Sequence, residues 1–373
     1  MFNFKQYDFK RYSISLVIIV LILGLIGAFL ISKVQAEGEN LYIKHLIGIA
    51  GGLVIAVIVS LIDYHFMASF YIILYIVNLV LLVMVKFMGS TLNYSQRWLV
   101  IGPIQFQPSE LSKIMLILFM AKLFSIFRQK INNALILLLV TVSIAIPAYF
   151  VLTQPNLSTT LVIVFIFIMM IFAAGLSWKI ILPILVIGIP VFLGLFWYIQ
   201  QPYQVLLQPY QQERVLSIIN PEAHPETMYQ QDNSVQSIGS GQLYGKMFSE
   251  DAGTERSYKY VPISESDFIF SVAGEEFGFL GGCIILTLFA FIIYKCLSTA
   301  KKAPDYMGML IAVGIASMFA FQVFVNIGVA TRMLPNTGIP LPFVSSGLSS
   351  LMSGMLAIGI ILNIRLQPKK NRG

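Results

Sequence analysis

Charge is scarce in this 373-residue chain: 11% of residues are charged, 57% are apolar, and mean hydropathy is +0.82. That shortage excludes an ordinary water-soluble domain, in which about a quarter of residues carry charge. Cysteine is scarcer still, with only Cys283 and Cys296. Thirteen residues apart on one helix, they stand about 20 Å apart at about 1.5 Å per residue, beyond disulfide reach, and read as packing thiols. The three histidines, His45, His65 and His224, show no metal-ligand spacing. No glycine-rich NTPase loop and no nucleophile elbow occurs, which argues against ATP-driven transport and serine hydrolysis. No convincing internal repeat supports an inverted-repeat transporter. The net charge of +7 comes without the basic-plus-aromatic stripe of a nucleic-acid groove.

What the chain has in abundance is long apolar runs. A helix needs roughly 20 such residues to cross the hydrocarbon core. Ten segments qualify, at about 13–32, 43–62, 67–88, 109–127, 133–152, 158–177, 179–199, 268–294, 306–330 and 349–366. They are continuous rather than alternating, which predicts helices and not barrel strands. The expected fold is an all-α polytopic membrane protein, one membrane-embedded domain over 1–373. The first run is longer than the apolar core of a signal peptide, so it is expected to be retained.

Lysine and arginine in the short loops predict the orientation. With the N-terminus inside, the inner face collects Lys5, Lys10, Arg11, Lys122, Arg128, Lys130, Lys179, Lys295, Lys301, Lys302, Arg365, Lys369, Lys370 and Arg372. The outer loops hold Lys33, Lys44, Lys86, Arg97 and Arg332. Both termini are therefore expected inside a plasma membrane, and a long loop at about 200–267 outside. That loop carries nine of the seventeen acids: Glu213, Glu222, Glu226, Asp232, Glu250, Asp251, Glu255, Glu265 and Asp267. A structureless loop of this length is unusual unless functional. Val215, Leu216, Ile218 and Ile219 suggest a short amphipathic helix within it.

Four places hold residues suited to chemistry. Asp267 stands where the long loop enters an apolar run, and helical spacing would put Ser271, Gly274 and Gly278 on its face. Such small residues let another helix or a lipid chain approach closely; a plain helix-terminal acid is the alternative. Glu275 and Glu276 lie deeper and should pair with Lys or Arg, more in keeping with structure than catalysis. In RWLVIGPIQFQPSELSK, Pro108 suits a first helical turn, and Glu110 and Lys113 share a helix face. They form an ion pair and no more, or else Arg97 and Lys113 bind a phosphate, Arg as a fork and Lys as a point charge. Finally, 331–350 holds Pro335, Pro340 and Pro342 and cannot be regular helix; irregular backbone at membrane depth lines a polar cavity or is buried in protein.

Taken together these stretches resemble the SEDS family (shape, elongation, division and sporulation). RW with QPSELSK, QPNLSTTL, NP at 220–221, QSIGSGQLYGK, SDFIFSVAGEEFGFLGG and LPNTGIPLPFVSSGLSS occur in order along the whole chain. The resemblance implies a peptidoglycan glycosyltransferase that polymerises lipid II, working beside a class B penicillin-binding protein transpeptidase. It implies Asp267 as the catalytic acid of the DFIF motif, and Arg97 and Lys113 as the important basic residues, with Glu110 holding Lys113. An elongation-type member is expected. A divalent cation could assist, although no ligand cluster marks a site. A lipid-linked precursor flippase and a silent scaffold are the alternatives. The chain departs from the family pattern at Ser264 and Glu265, where a histidine is missing, at Asn156, where an acid is usual, and at Ser346 and Leu348.

Overall fold

The computed structural model describes residues 7–36, 38–92, 95–101, 104–154, 156–207, 209–248 and 255–367. Lys5, Glu250, Asp251, Lys369, Lys370 and Arg372, counted above for charge, lie outside these. The chain forms α1 (Ile14–Val34), α2 (Leu41–Ser60), α3 (Tyr64–Ser69) and α4 (Tyr71–Met88), then β1 (Ser90–Leu92), β2 (Ser95–Ile101) and β3 (Ile104–Phe106). It continues through α5 (Pro108–Ile126), α6 (Ala134–Thr153), α7 (Leu157–Ala173) and α8 (Trp178–Ile199). Two loop helices follow, α9 (Pro209–Ile219) and α10 (Pro225–Ser240), before α11 (Ile269–Lys302), α12 (Tyr306–Ala330) and α13 (Leu348–Leu366).

Every expected apolar run is a helix. Eight are long and apolar enough to cross a membrane. The other two are α7, with 17 residues, and α5, which carries Glu110, Lys113 and Lys122. This is a multi-pass membrane protein. Helix starts follow local chemistry: Pro108 opens α5, and the side chains of Asn133, Asn156, Ser177 and Asp305 accept amides at the starts of α6, α7, α8 and α12. The centre of the bundle is α12, packed against α5, α7 and α11, with α13 laid along α2. Small residues allow this closeness: a Cβ on Gly314 would stand 2.7 Å from Met170 Sδ. In contrast α8 buries none of its residues.

The short antiparallel β1-β2-β3 meander was not anticipated from sequence. β1 and β3, of three residues each, carry too little alternation to register as a pattern. The meander places Trp98 opposite Ser90 and Leu99 opposite Phe106.

The long loop holds α9 and α10, in keeping with its expected amphipathic content, and α10 docks on α11. The turn that follows α10 is joined to α11 at a break at Gly278 (φ 66°, ψ −167°). The amides freed by the break, of Phe279 and Leu280, donate to Gln242 O (2.8 Å) and Leu243 O (3.2 Å). A Cβ on Gly278 would lie 2.7 Å from Leu243 O, and this region of backbone space is essentially closed to other residues. Gly278→Ala is therefore expected to destabilise the protein by about 1–3 kcal/mol, read as a lowered Tm in detergent; an unchanged Tm would contradict the role of the break.

Glu275 and Glu276, both fully buried on α11, pair as expected with cations and fasten the loop. Glu275 accepts from Lys246 Nζ (2.5 Å), Ser237 Oγ (2.8 Å) and the amides of Ser257 and Tyr258 (2.8 and 2.9 Å). Glu276 accepts from Arg256 Nε (2.9 Å) and Tyr258 Oη (2.8 Å). A buried carboxylate is tolerable when each oxygen is bonded in this way.

At the opposite end of the bundle, His65 bridges Asp305 (Nε2 to Oδ2, 2.6 Å) and Asp63 (Nδ1 to Oδ1, 2.8 Å), tying α3 to the start of α12. Its hydrogen bonds to Asp305 and Asp63 raise its pKa from 6.5 to about 9. A raised histidine pKa stabilises the fold fully below pH 6.5, and the contribution is lost as pH rises through about 9. Wild-type Tm should fall across that window more steeply than that of His65→Gln; parallel curves would refute the bridge.

Candidate functional site

Asp267 lies two residues before α11, not within it, and Phe268 is the N-cap, without a side-chain capping bond. The expected common helical face with Ser271, Gly274 and Gly278 is thus corrected: the chain is not yet helical at 267 and leaves helical geometry at 278. The small residues of α11 do admit a neighbour. It is α10, whose Ile238 lies against Gly274 and whose Ser237 Oγ donates to Ser271 O (3.1 Å).

Three consecutive carbonyls hold Asp267 in place. Glu265 O accepts from Ser346 N (3.0 Å), Ser266 O from Ser345 Oγ (2.6 Å), and Asp267 O from Asn326 Nδ2 (2.9 Å). The same Asn326 amide donates to Ile339 O (2.7 Å), and Leu341 N donates to Ser345 Oγ (2.8 Å). The segment 331–347 is irregular, as its prolines require, and Phe343 and Val344 within it are buried. It wraps the approach to Asp267. Gly338 (φ +70°) brings its backbone against the carboxylate, where a Cβ would stand 3.0 Å from Oδ2. Ser266 Oγ donates to Oδ1 at 3.1 Å. The carboxylate itself is half-buried. Nearby Asn326 Oδ1 and Thr337 Oγ1 are buried with no hydrogen-bond partner among the described residues. Buried polar atoms are usually satisfied, so this wall has bonding capacity left for a polar ligand.

The basic candidates belong to the same constellation through Gln154 and Asn156. Arg97 Nε, half-buried on β2, donates to Gln154 O (3.3 Å), and Gln154 Nε2 donates to Leu82 O (2.9 Å). Asn156 accepts from Thr159 N and donates from Nδ2 to Ser109 Oγ, both at 3.2 Å. An ionised aspartate could accept in the first bond too, and could keep the second by accepting from the Ser109 hydroxyl; the amide at this departure from the family pattern donates there instead. Ser158 Oγ donates to Thr337 O, next to Gly338. Gln107 N donates to Ser349 Oγ (3.0 Å), joining the start of α5 to that of α13.

One turn into α5, Lys113 Nζ donates to both oxygens of Glu110 (2.9 and 2.8 Å), and Ser353 Oγ of α13 adds a contact at 3.3 Å. The pair is dry: the side chains are 1% and 5% exposed. Spacing read from sequence suffices to find this pair. Asn326, Ser345 and Gly338 were missed, although a lone amide in the apolar run FQVFVNIG is itself a signal, since polar groups at membrane depth find partners. Among the described residues no three His, Cys, Asp or Glu side chains converge to hold a metal ion.

Comparison with known proteins adds independent findings. Residues 10–370 match the family model for the FtsW, RodA and SpoVE group, described as cell cycle protein. Stage V sporulation protein E of Bacillus subtilis is 34% identical over 361 residues, 94% of this chain and 95% of that one. Peptidoglycan glycosyltransferase MrdB of Escherichia coli is 32% identical over 358 residues, 95% and 94% of the two chains. A chain of a solved peptidoglycan synthase complex, studied for how polymerization and crosslinking are coordinated, superposes with a TM-score of 0.80 at 28% identity. It covers 96% of this chain and 97% of its own.

Proposed function

This chain belongs to the FtsW, RodA and SpoVE family of cell cycle proteins, and from that membership we propose that it is a peptidoglycan glycosyltransferase polymerising lipid II. The observation that carries the reading is Asp267: a half-buried carboxylate held through three successive backbone carbonyls, beside a wall with unused polar atoms. Such rigid placement suits a group that must meet a reacting hydroxyl in one geometry.

In this mechanism Asp267 takes the proton of the acceptor sugar hydroxyl as its oxygen attacks the anomeric carbon of the donor. The new carbon–oxygen bond forms as the bond to the lipid pyrophosphate breaks, and the pyrophosphate leaves as an anion without protonation. Attack from the opposite face inverts the anomeric centre, giving a β-linked strand from an α-linked donor. A glycosidase needs a second carboxyl to protonate its leaving group; here cations do that work. Arg97 and Lys113 supply positive charge toward the pyrophosphate, and Glu110 sets the direction of Lys113. Arg97 offers the planar fork that matches a phosphate, and Lys113 shares its ammonium with Glu110.

The reading places Asp267, Arg97 and the α9–α10 loop on the outer side of the plasma membrane and both termini in the cytoplasm, supported by the lysine and arginine bias of the short loops. It pairs the chain with a class B penicillin-binding protein, in keeping with the solved complex that joins polymerization to crosslinking. We assign the activity to cell elongation. A sporulation role is the second reading, favoured by the 34% identity to stage V sporulation protein E; rounding of growing cells on depletion supports the first, and intact shape with defective spores the second.

The direct test is gel-resolved polymerisation of labelled lipid II by the purified protein with its transpeptidase partner. Glycan strands are the expected product. A folded complex that makes none would overturn the assignment.

A further inference from the structure

At the end of the bundle remote from Asp267, a cavity of about 340 Å³ is lined by Arg11, Thr299, Lys302, Ile364, Arg365 and Gln367. It lies where α11 and α13 both end, beside the turn that precedes α1. Since α11 starts next to Asp267 and runs for 34 residues, the two places are about 50 Å apart along it.

Among the described residues the lining has three cations and no carboxylate. Arg11 is the one with an acidic partner, Asp8 at 2.9 Å. Arg365 Nε donates only to Arg11 O (3.3 Å), and Lys302 has no ion-pair partner among the described residues. Thr299 Oγ1 is spent on Lys295 O. Cations in the last turns of α11 and α13 also offset the helix dipoles, which accounts for the charges by themselves. It does not account for Gln367. That side chain is only 8% exposed, and its Nε2, a two-hydrogen donor, has no acceptor among the described residues. Gln367 thus adds an unmet donor to the lining of a cationic cavity, a combination that favours a ligand that is negative and accepts.

We infer that this cavity binds a phosphate group, held by Arg365, Lys302 and the Gln367 amide. A guanidinium, an ammonium and an amide converging on one space match a tetrahedral acceptor. The site opens at the ends of membrane-spanning helices, the level at which phospholipid head groups lie and basic residues gather them. The phosphate can come from an anionic lipid or from a free phosphate compound. The inference does not rest on the polymerase reading.

Native mass spectrometry and thermal unfolding of the full chain in detergent test it, with phosphatidylglycerol, phosphatidylcholine and inorganic phosphate as probes. Phosphatidylglycerol should be retained and raise Tm where phosphatidylcholine does not. Lys302→Gln, at an exposed position, should weaken retention about fivefold. Gln367→Leu should unfold no earlier than wild type in phosphatidylcholine, since it removes an unpaired donor, yet lose the phosphatidylglycerol-dependent rise. A matching response to inorganic phosphate supports the site and assigns it to a soluble source. No response to either probe, or a response that both variants keep, overturns it.

Discussion

Asp267→Asn should lower the rate of lipid II polymerisation by about 10²–10⁴-fold, the usual worth of a general base, and leave the fold unchanged. The amide has the shape of the carboxylate but cannot take up the hydroxyl proton at neutral pH. The bonds that hold the position are made by the carbonyls of Glu265, Ser266 and Asp267, so the substitution leaves them alone. The Ser266 hydroxyl can still donate to the remaining side-chain oxygen. Equal Tm and equal partner binding beside lost glycan synthesis would confirm a chemical role. Normal glycan yield would remove Asp267 from the mechanism, whatever its family resemblance implies.

The second large effect lies at Glu110 and Lys113. Lys113→Met should cost about 3–5 kcal/mol of stability, because it leaves a carboxylate buried with no counter-charge. At 1% and 5% exposure, water cannot replace the lost ammonium. Replacing both, as Glu110→Gln with Lys113→Met, should restore most of that stability, since a dry ion pair and a well-packed neutral pair often differ little. The double variant then separates two roles. If Lys113 also faces the pyrophosphate, the rescued protein folds but turns over poorly at limiting lipid II. If it recovers full turnover, the pair serves only to join α5 to α13 through Ser353. Thermal unfolding and turnover measured on the same preparations decide the matter.

Much of this was legible along the chain. Ten apolar runs became ten helices because a hydrocarbon solvent leaves the backbone few other ways to satisfy its hydrogen bonds. Glu110 and Lys113 pair because residues three apart on a helix are neighbours. Glu275 and Glu276 could be expected to find cations, because an acid at that depth must. Their partners Lys246 and Arg256 could not be named, since the loop that brings them back folds over α11 only in three dimensions. The helical face drawn through Asp267 failed for a related reason: periodicity assumes a helix throughout, and neither residue 267 nor Gly278 has helical geometry.

The sequence by itself determined the solvent, the helices, the family and the residue types able to do chemistry. These follow from local composition and spacing, which neighbouring residues settle among themselves. Only the tertiary structure decided that Ser346, Ser345 and Asn326 grip the backbone around Asp267, that Gly338 lies against its carboxylate, and that Gln154 bonds Arg97 while Asn156 bonds Ser109 of α5. Those contacts join residues up to 81 positions apart, and hydrogen bonds at such separations depend on how whole helices pack rather than on any pattern a single segment carries.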